Sequence, residues 1–356
     1  MRGGCRRGGV EWAGAGRASL GRLAAVLACL ALLVPATARS EVPVRWKLLS
    51  SWAAGTLPQK VVESFAQRVG IMSGGRLQID VLPAGSVVAP GESLDALQAG
   101  VIDAQQGGTA YFTTKDPAFS VLGDLQGAWD NPYQAQAWLE QGGGRELARE
   151  LYRKYNAHFV TGAWYGVESV LMRRPVRGLA DFKGLKIRAP VGMGQDIWKA
   201  LGAAPVNLPG SEVYTALERG VVDASDWGTL AMNQELGYHK LARHPSYPGF
   251  HSMPMNDVAV NLKRWNALPD DLKAIVETAA RDMARDMIQR HALEDLRVAR
   301  EARALGFEPF DLPAAERARF REVARKVWAQ YAARSDMARR IHESQLAFLR
   351  LVGVLP

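Results

Sequence analysis

Short apolar segments alternate with helical segments along the first part of the chain, and this alternation constrains the fold more than any other feature. We predict strands at 44–50, 77–82 and 101–105, with helices at 58–72 and 92–99. Strands separated by helices at this spacing favour parallel strands joined by right-handed crossovers. The sequence therefore predicts an α/β fold.

The same pattern restarts near His158. Five further strands are predicted in the segments FVTGAW, VLMRRP, LKIRAP, APVNLP and DVAVNL. Helices are predicted at 132–139, 145–155, 195–201 and 211–219, the last with Ser211 as its N-cap. Beyond Pro269 the composition changes to two long charged helices, at 270–305 and 313–352.

These patterns divide the chain into an α/β lobe I at 39–160, an α/β lobe II at 161–265, and helices at 266–356 that brace both lobes. No long Ser/Pro/Gly linker separates the lobes, so we expect them to exchange strands across a hinge. Two such lobes with a cleft between them are typical of a ligand clamp that closes by hinge bending.

One sequence pattern occurs in both halves of the chain. SLDALQAGVIDAQQGGTAYF resembles YTALERGVVDASDWGTLAM, and in each a predicted helix ends at a glycine, Gly100 or Gly220. Coincidence is one explanation, because glycines commonly end helices. A pair of related lobes is the other. Both loops would then follow the carboxyl ends of strands, where ligands bind in open α/β sheets.

The first 38 residues have the pattern of a secretory signal peptide. Five arginines precede an apolar stretch at 23–34, and Ala36-Thr37-Ala38 is a small-residue cleavage site. The apolar stretch is shorter than a spanning helix requires. We therefore expect a periplasmic protein cleaved near Ala38, with lipid attachment at Cys29 as an alternative.

Removal of this leader changes what the composition implies. The leader carries five arginines and one glutamate, so the net charge would fall from +8 to +4. No basic stripe interleaved with aromatic residues remains, which argues against nucleic acid as a partner. Both cysteines, Cys5 and Cys29, lie in the leader, so the mature chain offers neither a disulfide nor a thiolate nucleophile.

The residues best suited to binding or catalysis follow predicted strands in the second half of the chain. Arg188 ends KIR, and Asp226-Trp227 follows the helix and strand VYTALERGVVDAS. A guanidinium offers two parallel donors to one carboxylate and is always charged. No HExxH or GxSxG pattern accompanies these residues. The grouping favours holding a small carboxylate over transforming one, although a solvated arginine at a strand end is the alternative.

Several segments carry a family resemblance that covers essentially the whole chain from Trp46. They are SGGRLQIDVLPAGSVV, ALQAGVIDA, DPAF, LADFKGLKIRAP, LGAAPVNLPGSEVYTALERGVVDASDW and YPGFHSMP. In these the chain resembles the periplasmic substrate-binding subunit of tripartite ATP-independent periplasmic (TRAP) transporters. The resemblance implies two α/β domains, a hinge helix, and delivery of a small organic carboxylate to integral-membrane permease subunits.

The resemblance also implies roles for particular residues. Arg188 matches the family's ligand-carboxylate arginine. Asp226-Trp227 is similar to the Glu-Trp pair of the branch that binds 2-oxo and 2-hydroxy acids through a bridging cation, Ca²⁺ or Na⁺. In that branch the acidic side chain and the aromatic residue's carbonyl hold the ion. Glu168 and Ser252 stand near two further ligand positions.

This chain departs from that branch at three positions. Asp226 replaces a longer glutamate, Ser252 stands where the branch has a glutamate, and Glu168 stands where it has a glutamine. Two interpretations therefore stay open. Either these residues and the Trp227 carbonyl hold a cation, or the carboxylates accept hydrogen bonds from the hydroxyl groups of a more heavily hydroxylated acid.

Four more residues are candidates for the ligand pocket. Tyr111 could offer a hydroxyl group, Trp52 and Trp164 could form apolar walls, and Asn207 could hydrogen-bond in the cleft. Core packing is the alternative for the aromatic residues.

We expect a receptor that captures a small monocarboxylate of the 2-oxo or 2-hydroxy acid class, possesses no catalytic residues, and delivers its ligand to a TRAP permease. One alternative is a periplasmic enzyme that uses Glu168 and Asp226 for acid–base chemistry. Another is a sensory protein that delivers its ligand to a membrane receptor. A homodimer is an alternative to a monomer.

Overall fold

The computed structural model describes Gly8, Gly9, residues 42–208 and residues 210–356. The predicted cleavage site at Ala38 and the alternative lipid site at Cys29 lie outside the described residues. Among the described residues, no helix combines the length and apolar character that crossing a membrane requires. The description below concerns Pro43–Pro356, which form one unit.

The strands and helices alternate as the sequence pattern indicates. The strands are β1 Val44–Ser50, β2 Leu77–Leu82, β3 Ala104–Gly108, β4 Ala157–Trp164, β5 Val170–Met172, β6 Lys186–Arg188, β7 Ala204–Val206, β8 Ala224–Asp226 and β9 Met255–Asn261. The helices are α1 Leu57–Met72, α2 Ser93–Ala99, α3 Ala118–Gly123, α4 Pro132–Gln141, α5 Gly144–Arg153, α6 Met193–Ala200, α7 Val213–Glu218, α8 Leu230–Glu235, α9 Leu262–Asn266, α10 Asp270–Glu301, α11 Ala314–Ala332 and α12 Asp336–Leu351.

Two sheets form the framework of the fold. The first has the strand order β2-β1-β3-β9-β4, and the second has the order β5-β8-β6-β7. Strand β1 runs parallel to β2 and β3, and β6 runs parallel to β7 and β8, as predicted. Strand β9 runs antiparallel to both β3 and β4, and β5 runs antiparallel to β8. The α/β fold class is confirmed.

Strand exchange between the lobes accounts for the antiparallel strand in the first sheet. Strands β5 to β8 form the second sheet, and the chain then returns to insert β9 between β3 and β4. The proposed lobe II at 161–265 includes β9, whereas the structure places β9 in the first sheet. Local periodicity could not assign it, because its partners β3 and β4 lie roughly 150 and roughly 100 residues earlier in the chain.

The repeated sequence pattern forms the same local structure twice. Gly100 and Gly220 end α2 and α7 with left-handed φ angles of 75° and 69°. Three residues later, the Asp103 carboxylate accepts a backbone N–H from β1, and the Asp223 carboxylate accepts one from β6. In each case the following strand, β3 or β8, pairs in parallel with that same neighbour. This agreement supports related lobes over coincidence.

Two local predictions are wrong. The helix predicted at 313–352 is two helices, α11 and α12, separated by residues 333–335. Ser335 caps α12 by accepting the N–H of Ala338 at 3.1 Å. Ser211 is not an N-cap, because it lies within a 3₁₀ turn at Gly210–Glu212. The residue before α7 is Glu212, whose side chain makes no capping hydrogen bond.

The long helix α10 contacts elements from both parts of the fold. It packs against α1 and β4 beside the first sheet, and against α8, which follows β8. Helix α11 packs against α6 of the second part and α3 of the first. The C-terminal helices therefore contact both lobes, while the carboxyl ends of β1, β3, β6 and β8 remain available to line a cleft.

Candidate functional site

A cavity of about 610 Å³ lies between the two sheets. It is lined by residues that follow β1, β2 and β3, and by residues at or after the ends of β6 and β8. Ligands bind at this edge of open α/β sheets because strand ends and their loops converge there. The polar side chains that line the cavity cluster around Arg188.

Arg188 is the last residue of β6 and is 2% exposed. Its Nε donates to the carbonyl of Leu208 at 2.9 Å, and its Nη1 donates to the carbonyl of Asp226 at 2.6 Å. Within the described part of the chain, Nη2 makes no hydrogen bond. The two carbonyls fix the direction of the guanidinium before any ligand arrives, which lowers the entropic cost of binding an anion.

Asp226 ends β8 and forms a buried pair with His251. His251 Nε2 lies 3.1 Å from one oxygen of Asp226, and the Trp198 indole N–H donates to the other at 3.2 Å. Burial alone would raise the pKa of Asp226, but the charge and hydrogen bond of His251 hold it below its usual range. Burial alone would lower the pKa of His251, and Asp226 instead raises it above its ordinary value.

Glu168 lies before β5 and faces the same pair. Its Oε1 accepts from the Tyr165 hydroxyl at 2.7 Å and from the Gly228 N–H at 2.8 Å. Ser252 donates to its Oε2 at 2.8 Å. Burial raises the pKa of Glu168 to about 8, and the negative charge of Asp226 contributes to the rise. Without a bound cation, the Glu168 carboxyl group therefore retains its proton at neutral pH.

Asp124 brings a third buried carboxylate to the cluster. It accepts from the Ser252 hydroxyl at 2.7 Å and from the backbone N–H of Met253 at 3.1 Å. Burial raises its pKa to about 6. A hydroxyl has one proton, yet Ser252 contacts Asp124 and Glu168 at hydrogen-bond distance. One of those carboxyl groups must therefore be protonated for both contacts to form.

The donor set suits a hard cation. One ligand atom from each of Glu168, Asp226 and His251 lies within 4.8 Å of the others. Asp124 and Ser252 add carboxylate and hydroxyl oxygens beside them. Carboxylate oxygens, with backbone carbonyls and water, are the usual ligands of Ca²⁺ in proteins. The residues present are thus compatible with such an ion, which would offset the excess of buried carboxylates.

Sequence reasoning did not identify Asp124, His251 or Trp198. Asp124 follows α3 in a largely buried segment, and an acidic residue within the apolar run AFSVLGDL was the available signal. His251 lies in the segment YPGFHSMP, but no other histidine stands at a metal-binding spacing from it. None of the three is near Glu168 or Asp226 in the sequence, so their convergence depends on tertiary packing.

The other candidate residues fall into two groups. Trp52, Tyr111 and Trp227 line the cavity. Asn207 is exposed, and neither it nor Trp164 is among the described residues that line the cavity. Trp164 is instead 2% exposed within the apolar core.

The sequence matches a known protein family and several of its members. The family described as "bacterial extracellular solute-binding protein, family 7" matches residues 49–335. A monocarboxylate 2-oxoacid-binding periplasmic protein of Nostoc sp. is 33% identical over 250 residues, covering 70% of this chain and 68% of the relative. The C4-dicarboxylate-binding periplasmic protein of Rhodobacter capsulatus is 28% identical over 333 residues, with coverages of 90% and 93%.

Solved structures agree with these relatives. A TRAP periplasmic solute-binding protein from Rhodobacter sphaeroides, in an apo open structure, is 36% identical with a TM-score of 0.73, covering 87% of this chain and 99% of that one. One from Pseudoalteromonas atlantica, with bound sodium and pyruvate, is 26% identical with a TM-score of 0.79 and coverages of 88% and 96%. The chain therefore belongs to bacterial extracellular solute-binding protein family 7, as a TRAP periplasmic solute-binding protein.

Proposed function

We propose that this receptor captures a monocarboxylate of the 2-oxo or 2-hydroxy acid class for delivery to a TRAP permease. The observation that carries the proposal is the fixed guanidinium of Arg188 beside a buried carboxylate cluster in one cavity. Support comes from the Nostoc relative, whose name specifies 2-oxoacids, and from the structure that holds sodium and pyruvate.

The charges of the cavity favour one carboxylate on the ligand. Arg188 is the only lysine, arginine or histidine among the described residues that line the cavity. A second carboxylate would find no matching cation there, and the ionised carboxylates of Asp124 and Asp226 would repel it. The C4-dicarboxylates named for the Rhodobacter capsulatus relative therefore suit this cavity less well than a monocarboxylate.

Glu168 and Asp226 would hold a bridging cation, with Ser252 and the Trp227 carbonyl as further oxygen donors. A bound Ca²⁺ or Na⁺ would supply the positive charge that lets an acid's carboxylate and neighbouring oxygen approach these carboxylates. Arg188 would hold the same carboxylate through its guanidinium. A solved relative from Bordetella bronchiseptica, 25% identical with a TM-score of 0.79, contains calcium and picolinate.

Calorimetry of the ligand-free protein with pyruvate tests this proposal. Binding is expected with calcium or sodium present, and it should be lost after chelation in sodium-free buffer. Equal affinity under both conditions would eliminate the bridging cation and favour direct hydrogen bonds to a hydroxylated acid. No binding of any 2-oxo or 2-hydroxy acid under either condition would refute the proposed ligand class.

The Asp226–His251 pair is one observation that favours the enzyme alternative, because buried Asp–His pairs can move protons. Yet the Nδ1 of His251 is buried without a hydrogen-bond partner among the described residues, so no activated nucleophile is hydrogen-bonded to it there. We propose binding without turnover. Chromatography of a bound 2-oxo acid after prolonged incubation should recover it unchanged, and a product formed in molar excess over protein would support the enzyme.

A further inference from the structure

We propose that the natural ligand is a 2-oxo or 2-hydroxy acid with a bulky apolar group about the size of an aromatic ring, and not a short acid such as pyruvate. This inference rests on the proposed function. It concerns the part of the cavity that the carboxylate and its bridging ion would leave vacant.

The strand order of the first sheet gives the distance over which the cavity extends from the carboxylate cluster. Ser252 lies just before β9, whereas Ala84 and Ala89 follow β2, and all three line the cavity. The order β2-β1-β3-β9 places three strand spacings between those positions. At about 4.8 Å per spacing, the cavity extends roughly 14 Å away from the cluster.

The second sheet shows the same separation. Asp226 and Arg188 end the neighbouring strands β8 and β6, and Glu168 precedes β5 on the side away from β7. Gly210 and Tyr214 follow the edge strand β7 and line the same cavity. The carboxylates of Glu168 and Asp226 therefore lie toward β5, and the same cavity continues past Arg188 to residues that follow β2 and β7. We call this part of the cavity the second compartment.

This second compartment is lined mainly by apolar and aromatic groups. Tyr214, Trp227 and Tyr238 form a ring cluster with centroid distances of 5.7 and 6.3 Å. A side chain at Gly210 would collide with the indole nitrogen of Trp227, so glycine there permits this placement of the ring. Rigid aromatic surfaces of this kind bind a ligand ring by edge-to-face or offset contacts.

The one anionic side chain in this region is already engaged. Glu235 lines the cavity, and its Oε2 accepts the N–H of Leu57 at 3.4 Å, at the start of α1. The positive end of that helix favours its carboxylate. A polar or anionic ligand group would have to compete for this contact, whereas an apolar group would not.

The size of the cavity agrees with a large ligand. Its volume of about 610 Å³ falls within the roughly 300–1,000 Å³ of pockets that enclose drug-sized molecules. Pyruvate bound at Arg188 would leave most of that space to water. A ring in the apolar compartment would remove both ligand and protein apolar surface from water.

Calorimetry with pyruvate and phenylpyruvate, in buffer containing calcium, tests the inference on the ligand-free protein. We expect phenylpyruvate to bind at least about 30-fold more tightly, from the burial of its ring. Equal or tighter binding of pyruvate would overturn the inference and leave the proposed function intact. Binding of neither acid would overturn both.

A cavity-filling variant localises the effect. Ala84→Phe should weaken phenylpyruvate binding at least about tenfold while changing pyruvate affinity less than threefold, because aromatic bulk would occupy the compartment. Val87→Phe, in the same loop but not among the lining residues, is the matched control. If Ala84→Phe does not fold, as judged by circular dichroism, the exposed Ala89→Phe replaces it. Unchanged phenylpyruvate affinity in the folded variant would contradict the inference.

Discussion

At the scale of single residues, the site is a set of charges that depend on one another. Asp226 is held ionised by His251, while Glu168 and Asp124 have raised pKa values because they are buried beside it. Removing one partner therefore changes the charge state of the others. Side chains in this cluster cannot be assigned independent contributions to binding.

Neutralising Asp226 should weaken ion and ligand binding together. In Asp226→Asn the ion loses a carboxylate, and the acid loses the ion that bridges it, so the coupling between the two bindings is reciprocal. Calcium titrations with and without pyruvate should show both affinities decreased. Glu218→Gln, an exposed position on α7, is the control. Loss of ligand affinity with unchanged calcium affinity would contradict a shared site.

The sequence identified the positions of Arg188, Glu168, Asp226 and Ser252 because they lie at strand ends or in family motifs. Their binding roles stay predictions. His251 and Asp124 were not identifiable in the same way, because their effect depends on burial beside Asp226. Burial of a polar side chain by distant segments leaves no periodic signal in the sequence.

At the scale of elements, α10 contains a buried histidine that should make stability depend on pH. Burial lowers the pKa of His291 to about 4, and its Nδ1 contacts the carbonyl of Met287 at 2.8 Å. In the unfolded chain this pKa is about 6.5. The neutral form therefore stabilises the fold above pH 6.5, and this stability is lost as the pH falls towards 4.

His291→Met should remove that contribution. One proton per molecule corresponds to about 1.4 kcal/mol per pH unit. The difference in unfolding free energy between pH 7 and pH 5 should thus be smaller in the variant, by about 2 kcal/mol. Urea unfolding at the two pH values measures it. An identical difference in both proteins would show that His291 does not titrate as described.

The break between α11 and α12 gives a second element-scale prediction. Ser335 accepts the N–H of Ala338 and donates to Asp116 at 3.0 Å. Ser335→Ala should destabilise the protein by about 1 kcal/mol, the usual cost of losing an N-cap. Ser335→Thr, which retains both the capping oxygen and the hydroxyl donor to Asp116, should lose less in thermal unfolding. Equal loss in the two variants would show that these hydroxyl contacts do not carry the effect.

The sequence predicted most strands and helices because their periodicity is local. It missed the break at Ser335, since Ala, Arg and Leu favour helix on both sides of a single capping residue. It also did not reveal that β9 lies between β3 and β4. Pairing between distant strands is decided by packing, which single-sequence patterns do not encode.

At the scale of the whole molecule, membership of the solute-binding family bears on where the protein acts. TRAP solute-binding proteins act in the periplasm, and we propose cleavage near Ala38. N-terminal sequencing of protein from the periplasmic fraction should start near Arg39 or Glu41. A chain that retains residues 1–30, or one lipidated at Cys29, would contradict this processing.

The central claim is that Arg188 binds the ligand's carboxylate. Its side chain lines the cavity, so in Arg188→Ala water can reach the carbonyls of Leu208 and Asp226, and the main loss should be the charge-assisted contact with the ligand. Truncating such a buried partner costs roughly 2–5 kcal/mol. Arg219→Ala, an exposed arginine after α7, is the matched control.

The most direct measurement is calorimetry of Arg188→Ala, Arg219→Ala and the unaltered protein with a 2-oxo acid in calcium buffer. We predict that the dissociation constant rises at least about 30-fold in Arg188→Ala, the equivalent of roughly 2 kcal/mol, and stays unchanged in Arg219→Ala. Unchanged carboxylate affinity in a correctly folded Arg188→Ala protein would contradict the account.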